Sequence, residues 1–109
     1  LQKGQFNGKQ IVPAEWIEAA SAAQVPCVPA GMNSDQAYLM KKVAKTSDWL
    51  QGYGYQMWRC THNAFRADGA NGQYIIMIPE KNAVVVTTAN IRDMQGEIDL
   101  IWKHIYPAL

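Results

Sequence analysis

The sequence predicts an α+β fold, an antiparallel sheet of three C-terminal strands packed against a C-terminal helix. Three observations carry that reading. First, Tyr74-Ile75-Ile76-Met77-Ile78 and Ala83-Val84-Val85-Val86-Thr87-Thr88 are β-rich runs joined by Pro79-Glu80-Lys81-Asn82. Two such runs around a short turn form an antiparallel hairpin. Second, residues 53–60 hold Tyr53, Tyr55, Met57 and Trp58, an enrichment in strand formers that predicts the third strand. Third, Met94, Ile98, Ile101 and Ile105 recur at helical spacing. They mark one face of a helix that starts at Met94 or Gln95 and is ended near Tyr106 by Pro107.

Both hairpin runs are almost continuously apolar, which is the pattern of a sheet covered on both faces. The last helix covers one side of the hairpin. Nothing else in the chain is left to cover the other, and one hairpin edge presents unpaired backbone groups. The sequence therefore asks for more protein, and its start at Leu1 rather than at a methionine is read as a cut end.

Upstream, Asn7-Gly8 predicts a tight turn because both residues tolerate positive φ. Pro13 sits at a natural first helical position, with Glu15 suited to the positive helix end. Together with the stripe Trp16, Ile17 and Ala20 they predict a helix over residues 13–22. Residues 24–33, with Pro26, Pro29 and Gly31, read as a loop. Residues 35–45 predict a helical turn. Residues 61–72 are polar and glycine-bearing, and read as a connection that exposes its backbone.

Composition narrows the function classes. At 109 residues, 49% hydrophobic and 17% charged, the chain is globular rather than disordered. A net charge of +1 leaves no electrostatic footprint for nucleic acid or for an anionic membrane. No apolar run approaches the roughly 20 residues that a membrane-spanning helix needs. Cys27 and Cys60 pair or stay reduced, and neither they nor any other feature sets a compartment. No metal-ligand spacing, phosphate loop or dinucleotide fingerprint occurs. His62 reads as an exposed loop histidine and His104 as a favourable cation near a helix C-terminus. Lys41, Lys42 and Lys45 read as a solvated face, and Asp93, Glu97 and Asp99 as complements to the last helix's dipole.

An ordered set of short motifs resembles one family. The residues are Gly-Tyr-Gly-Tyr at 52–55, Gly69-Ala70-Asn71-Gly72-Gln73, Tyr74, Ile78-Pro79-Glu80-Lys81, and Ala89-Asn90 before the last helix. At the start, Gly4, Asn7-Gly8-Lys9, Ile11 and Pro13-Ala14-Glu15-Trp16 join the set. The chain resembles the C-terminal segment of class C β-lactamases and penicillin-binding-protein-like serine hydrolases, a family that includes carboxylesterases, D-amino-acid peptidases and amide hydrolases. The resemblance is weakest over residues 24–47. It implies that residues 1–109 are an incomplete part of a single larger α/β sandwich, with the missing N-terminal part of the same domain as partner and an ester, amide or β-lactam as substrate. It implies no cofactor.

The family's chemistry needs a Ser-x-x-Lys, in which the amine takes the hydroxyl proton. Ser21, Ser34 and Ser47 are followed three residues on by Gln24, Ala37 and Leu50, so this chain lacks the nucleophile. No tyrosine supplies the family's Tyr-x-Asn either. The third motif, a strand Lys-Thr-Gly or His-x-Gly, falls at Ala67-Asp68-Gly69, where Ala67 replaces the Lys or His. That loss favours ester or amide hydrolysis over β-lactam hydrolysis. By the resemblance, Gly69 lets substrate approach the backbone and the N–H of Ala70 is one oxyanion donor. Arg66, Asp68, Asn71 and Tyr55 are the expected substrate-binding residues. The chain alone is then inactive, and its open sheet face favours self-association. The alternative is a non-catalytic binding or interaction module, motivated by Ala67. For Tyr53, Tyr55 and Trp58, core packing competes with cleft lining.

Overall fold

The computed structural model describes residues 1–27 and 31–109. Pro29, part of the predicted loop over 24–33, lies outside them. Asn7 and Gly8 both take positive φ, 49° and 73°. They close the predicted turn between β1 (Gln5–Phe6) and β2 (Lys9–Gln10). Helix α1 (Ala14–Ser21) follows Pro13, as expected. Helix α2 (Ser34–Ala44) is longer than a single turn. It is started by a capping box, in which Asn33 Oδ1 accepts from Gln36 N at 2.9 Å and Gln36 Oε1 accepts from Asn33 N at 3.4 Å.

The third predicted strand shrinks to β3 (Trp58–Arg59). Residues 53–57 turn instead, with Gly54 N donating to Met57 O at 2.7 Å and Gln56 at φ 57°. Gly54 is seated directly on the Ala20 and Ala22 carbonyls at the end of α1, where any Cβ would collide. Gly54, part of the Gly-Tyr-Gly-Tyr motif, is thus a helix-packing point.

Four strands form, not three. The stretch read as an exposed connection contains β4 (Phe65–Gly69), which pairs with β5 (Gln73–Ile78). The hairpin is as predicted: β5 passes through the 3-10 turn Pro79–Lys81 and Asn82, left-handed at φ 49°, into β6 (Ala83–Thr88). Sheet order is β3-β4-β5-β6, antiparallel throughout. Arg66 and Asp68 hid β4 from a hydrophobicity reading because they are polar residues on the sheet's inner face.

That inner face carries the core. Tyr74, Ile76 and Ile78 pack with Cys60, Ala64, Ile98 and Ile101. Ile98 belongs to α3 (Met94–Leu100), whose N-cap Asp93 accepts from Gly96 N at 2.9 Å. The helix continues as a π-turn, Ile101–Ile105, and ends in the 3-10 turn Tyr106–Ala108. The π-turn changes the helical phase, so Ile105 of the expected stripe is exposed while Trp102 and Tyr106 pack against the core. His62, exposed as expected, stacks on Trp102 and Tyr106 at 4.5 and 4.6 Å between ring centroids.

The result is a mixed α+β arrangement, an antiparallel sheet with the C-terminal helix packed on it. Ile75, Val84 and Val86, on the other face, are exposed. No helix of the described residues is long and apolar enough to cross a membrane.

Candidate functional site

The uncovered face of the sheet is concave at one end. Strand register sets two rows across it, Ala67–Ile75–Val86 and Gly69–Gln73–Thr88. Ala67 and Gly69 contribute almost no side chain, so β4 lies low beside its neighbours. The outcome is an open, mostly apolar trough of about 330 Å³, lined by these six residues together with Asp68, Tyr74 and Thr87.

At its rim lies the β4–β5 turn, Ala70, Asn71 and Gly72. Asn71 and Gly72 both take positive φ, 66° and 89°. Two hydrogen bonds brace the turn from behind, and one carboxylate packs against it. Ile91 N donates to Asn71 O at 3.1 Å, Gln73 Nε2 donates to Ala89 O, and the Glu97 carboxylate of α3 lies where a Gly72 Cβ would be. Gly72 is therefore required twice, for its φ and for its missing side chain. Ala70 is exposed, and its N–H has no acceptor among the described residues. A free amide on an anchored turn is a preorganised donor.

The charged residues beside the trough have a different character. Arg66 is completely buried. Its Nε donates to Asp68 Oδ2 at 3.0 Å, and Nη1 donates to the carbonyls of Asp48 and Arg59 at 2.8 and 3.2 Å. The guanidinium lies 4.7 Å over Trp49 and 6.0 Å from Trp58. Nη2 is buried with no partner in the chain. Arg66 thus holds Asp68 against the strand from beneath. Nη1 also lies 3.3 Å from Cys60 Sγ. Burial pushes the Cys60 thiol up to about 11, against the lowering effect of Arg66. Burial likewise raises the Tyr74 hydroxyl to about 12, and that hydroxyl donates to Met94 O at 3.0 Å.

Of the expected site residues, Asp68, Gly69, Ala70 and Asn71 come together at the trough and its rim. Tyr55 does not line it; half-exposed, it packs against Trp16 of α1 at 5.3 Å. Trp58 lies against Tyr53 at 4.4 Å and beneath Arg66.

Sequence reasoning missed the support behind the site. Asp48, fully buried, accepts at Oδ1 from Thr61 N (2.8 Å) and Thr61 Oγ1 (2.9 Å). At Oδ2 it accepts from Gln95 Nε2 (3.0 Å) and Trp102 Nε1 (2.9 Å). One carboxylate ties the segment after α2 to the β3–β4 turn and to the last helix. Its donors lie 13 to 54 residues away in sequence, so no local signal announced it.

No three His, Cys, Asp or Glu side chains among the described residues are grouped to hold a metal ion. No family model, curated protein or solved structure matches the chain.

Proposed function

We propose that this chain is the C-terminal portion of a β-lactamase-related serine hydrolase, supplying the oxyanion-side strand and one wall of the substrate cleft. The observation that carries the reading is the unpaired Ala70 N–H, on a turn braced by two hydrogen bonds beside a trough floored by Ala67 and Gly69. In this reading the rest of the same domain covers the exposed face and brings a Ser-x-x-Lys to the trough. The serine hydroxyl adds to the carbonyl of an ester or amide while the lysine takes its proton, and the Ala70 N–H donates to the oxyanion that forms. One such donor contributes about 3 kcal/mol to the transition state. Asn71 on the rim faces the substrate's flanking groups, while Asp68, clamped by Arg66 on the inner face, steadies the strand beneath the trough. Ala67 in place of Lys or His removes the cationic group of that wall, which favours esters and amides over β-lactams.

The test is labelling of the intact parent protein with a serine-directed fluorophosphonate, read by mass spectrometry. A single adduct on a Ser-x-x-Lys serine is the expected result; an intact, folded parent that takes no label overturns the reading. Ala70→Pro, which removes the amide hydrogen, is expected to lower kcat of the parent by about 100-fold or more with its melting temperature little changed.

Ala67, together with the neutralised Arg66–Asp68 pair, favours one other reading, a relative whose cleft binds without turning over. A parent without the nucleophilic serine supports it, and a reactive Ser-x-x-Lys excludes it.

A further inference from the structure

Asparagine stands directly before glycine twice, at Asn7-Gly8 and at Asn71-Gly72, and both pairs occupy left-handed turns. Such a pair carries its own reaction. The backbone nitrogen of the glycine can add to the side-chain amide carbon of the asparagine, and glycine has no side chain to shield that nitrogen. The turn must open first, because the side chain and the next peptide have to rotate into a five-membered ring. How readily a turn opens is set by what it is tied to.

The two turns are tied very differently. Strands β1 and β2 pair only at Gln5–Gln10 and Phe6–Lys9, and all four residues are exposed. Among the described residues, no atom lies within 4 Å of where a Gly8 Cβ would stand. The bonds that hold this hairpin lie at its base: Ile11 N and Val12 N donate to Gly4 O at 2.9 and 3.1 Å, and Gln10 Nε2 donates to Lys3 O at 2.7 Å. The tip can fray with all of them intact. Asn71-Gly72 has no such freedom. Gly72 is buried, with the side chains of Glu97, Ile91 and Ala89 crowding the place of its missing Cβ. Opening that turn breaks the bonds from Ile91 N to Asn71 O and from Gln73 Nε2 to Ala89 O.

We propose that Asn7 is a site of spontaneous deamidation, and that the brace behind the β4–β5 turn keeps Asn71 from the same reaction. Gly8 N bonds to Asn7 Cγ and gives up its proton to water, the bond from Cγ to the amide nitrogen breaks, and ammonia leaves. Water then opens the cyclic imide at either carbonyl, giving aspartate or isoaspartate, and is the only co-reactant. The product carries a new negative charge on an exposed turn, and the isoaspartate form routes the chain through one extra methylene. The rim of the trough keeps its neutral amide. Neither turn needs the hydrolase reading, since the reaction proceeds without a serine or a substrate.

The experiment is prolonged incubation of the folded chain at mildly alkaline pH, with peptide mapping by mass spectrometry to score amide-to-acid conversion at each asparagine. Asn7 should convert first, at least about tenfold faster than Asn71, whose reaction waits on local opening. In urea the two rates should converge, because the brace is gone and both pairs are Asn-Gly. Two variants each remove one bond of the brace, Gln73→Ala the side-chain donor and Ile91→Pro the backbone one. Either should speed conversion at Asn71 and leave Asn7 unchanged, with circular dichroism reporting that the chain is still folded. Asn7→Gln should abolish the product at the first turn. Equal rates in the folded chain, a faster Asn71, rates that stay apart in urea, or an Asn71 that neither variant speeds overturns the proposal.

Discussion

On β5, Tyr74, Ile76 and Ile78 meet Ile98 and Ile101 and are shut away from water, whereas Ile75, between two of them, is 46% exposed. The strand is equally apolar on both sides, so composition does not separate them; only the presence of α3 on one face does. A sheet that faces water normally alternates apolar with polar residues. Here Ile75, Val84 and Val86 break that rule on the bare face. The difference teaches that burial along this strand is decided by what packs against each face, and not by the side chains alone.

The comparison is broken most sharply by paired truncations. Ile76→Ala should destabilise the chain by about 3 kcal/mol, through lost burial and the cavity left behind. Ile75→Ala should cost less than about 1 kcal/mol, since an exposed side chain loses little on truncation. Urea denaturation of this chain measures both. Equal costs would mean that the outer face is already covered. In the intact parent, the hydrolase reading expects the Ile75→Ala cost to rise toward that of Ile76→Ala.

A somewhat smaller effect is expected at the knot that holds α3 in place. Asp48→Ala leaves Thr61, Gln95 and Trp102 donors without their acceptor, and should cost about 2–3 kcal/mol by the same measurement. Asp48→Asn should recover only part of it, because its amide nitrogen offers hydrogens where the site already supplies donors.

The smallest effect concerns pH. The Cys60 thiol is pushed from 9.0 to about 11 in the folded chain, so between those values the unfolded chain has released a proton that the folded one retains. The stabilisation is therefore fully present below pH 9 and is lost as pH rises toward 11. The urea midpoint should fall across that window, and less steeply in Cys60→Ala. At pH 8 a thiol reagent should modify half-exposed Cys27 quickly and leave buried Cys60 until the chain unfolds.

How much of this was legible beforehand depended on the range of the interactions. The Asn7-Gly8 turn, the helix after Pro13, the hairpin around residues 79–82 and the first part of the last helix's stripe, up to Ile101, rest on contacts within a few residues and were readable; Ile105 was not, because the π-turn shifts the phase before it. Strand β4 was not, because Arg66 and Asp68 look like loop chemistry until Asp48, 18 residues back, and the ring of Trp49 enclose the guanidinium. The strand expected over 53–60 failed for a similar reason: Gly54 answers to the end of α1, far upstream. At the site, the turn 69–73 was readable from its glycines, but the Glu97 and Ile91 contacts that fix it come from another element.

The π-turn at Ile101–Ile105 has a consequence for how the chain's last residues tolerate change. One surplus residue is stored there, and its bond from Tyr106 N to Ile101 O spans five positions rather than four. Deleting any one of the five would let the helix run on as a plain α-helix with everything beyond close to its present course, because the under-wound turn holds just that one extra residue. Tyr106 would then keep its place beside His62 and Glu80, to which its hydroxyl now donates. Ile98, before the deletion, would keep its place. The π-turn is thus the one place in this helix where a residue can be lost with both the sheet contacts before it and the aromatic cluster after it kept in phase.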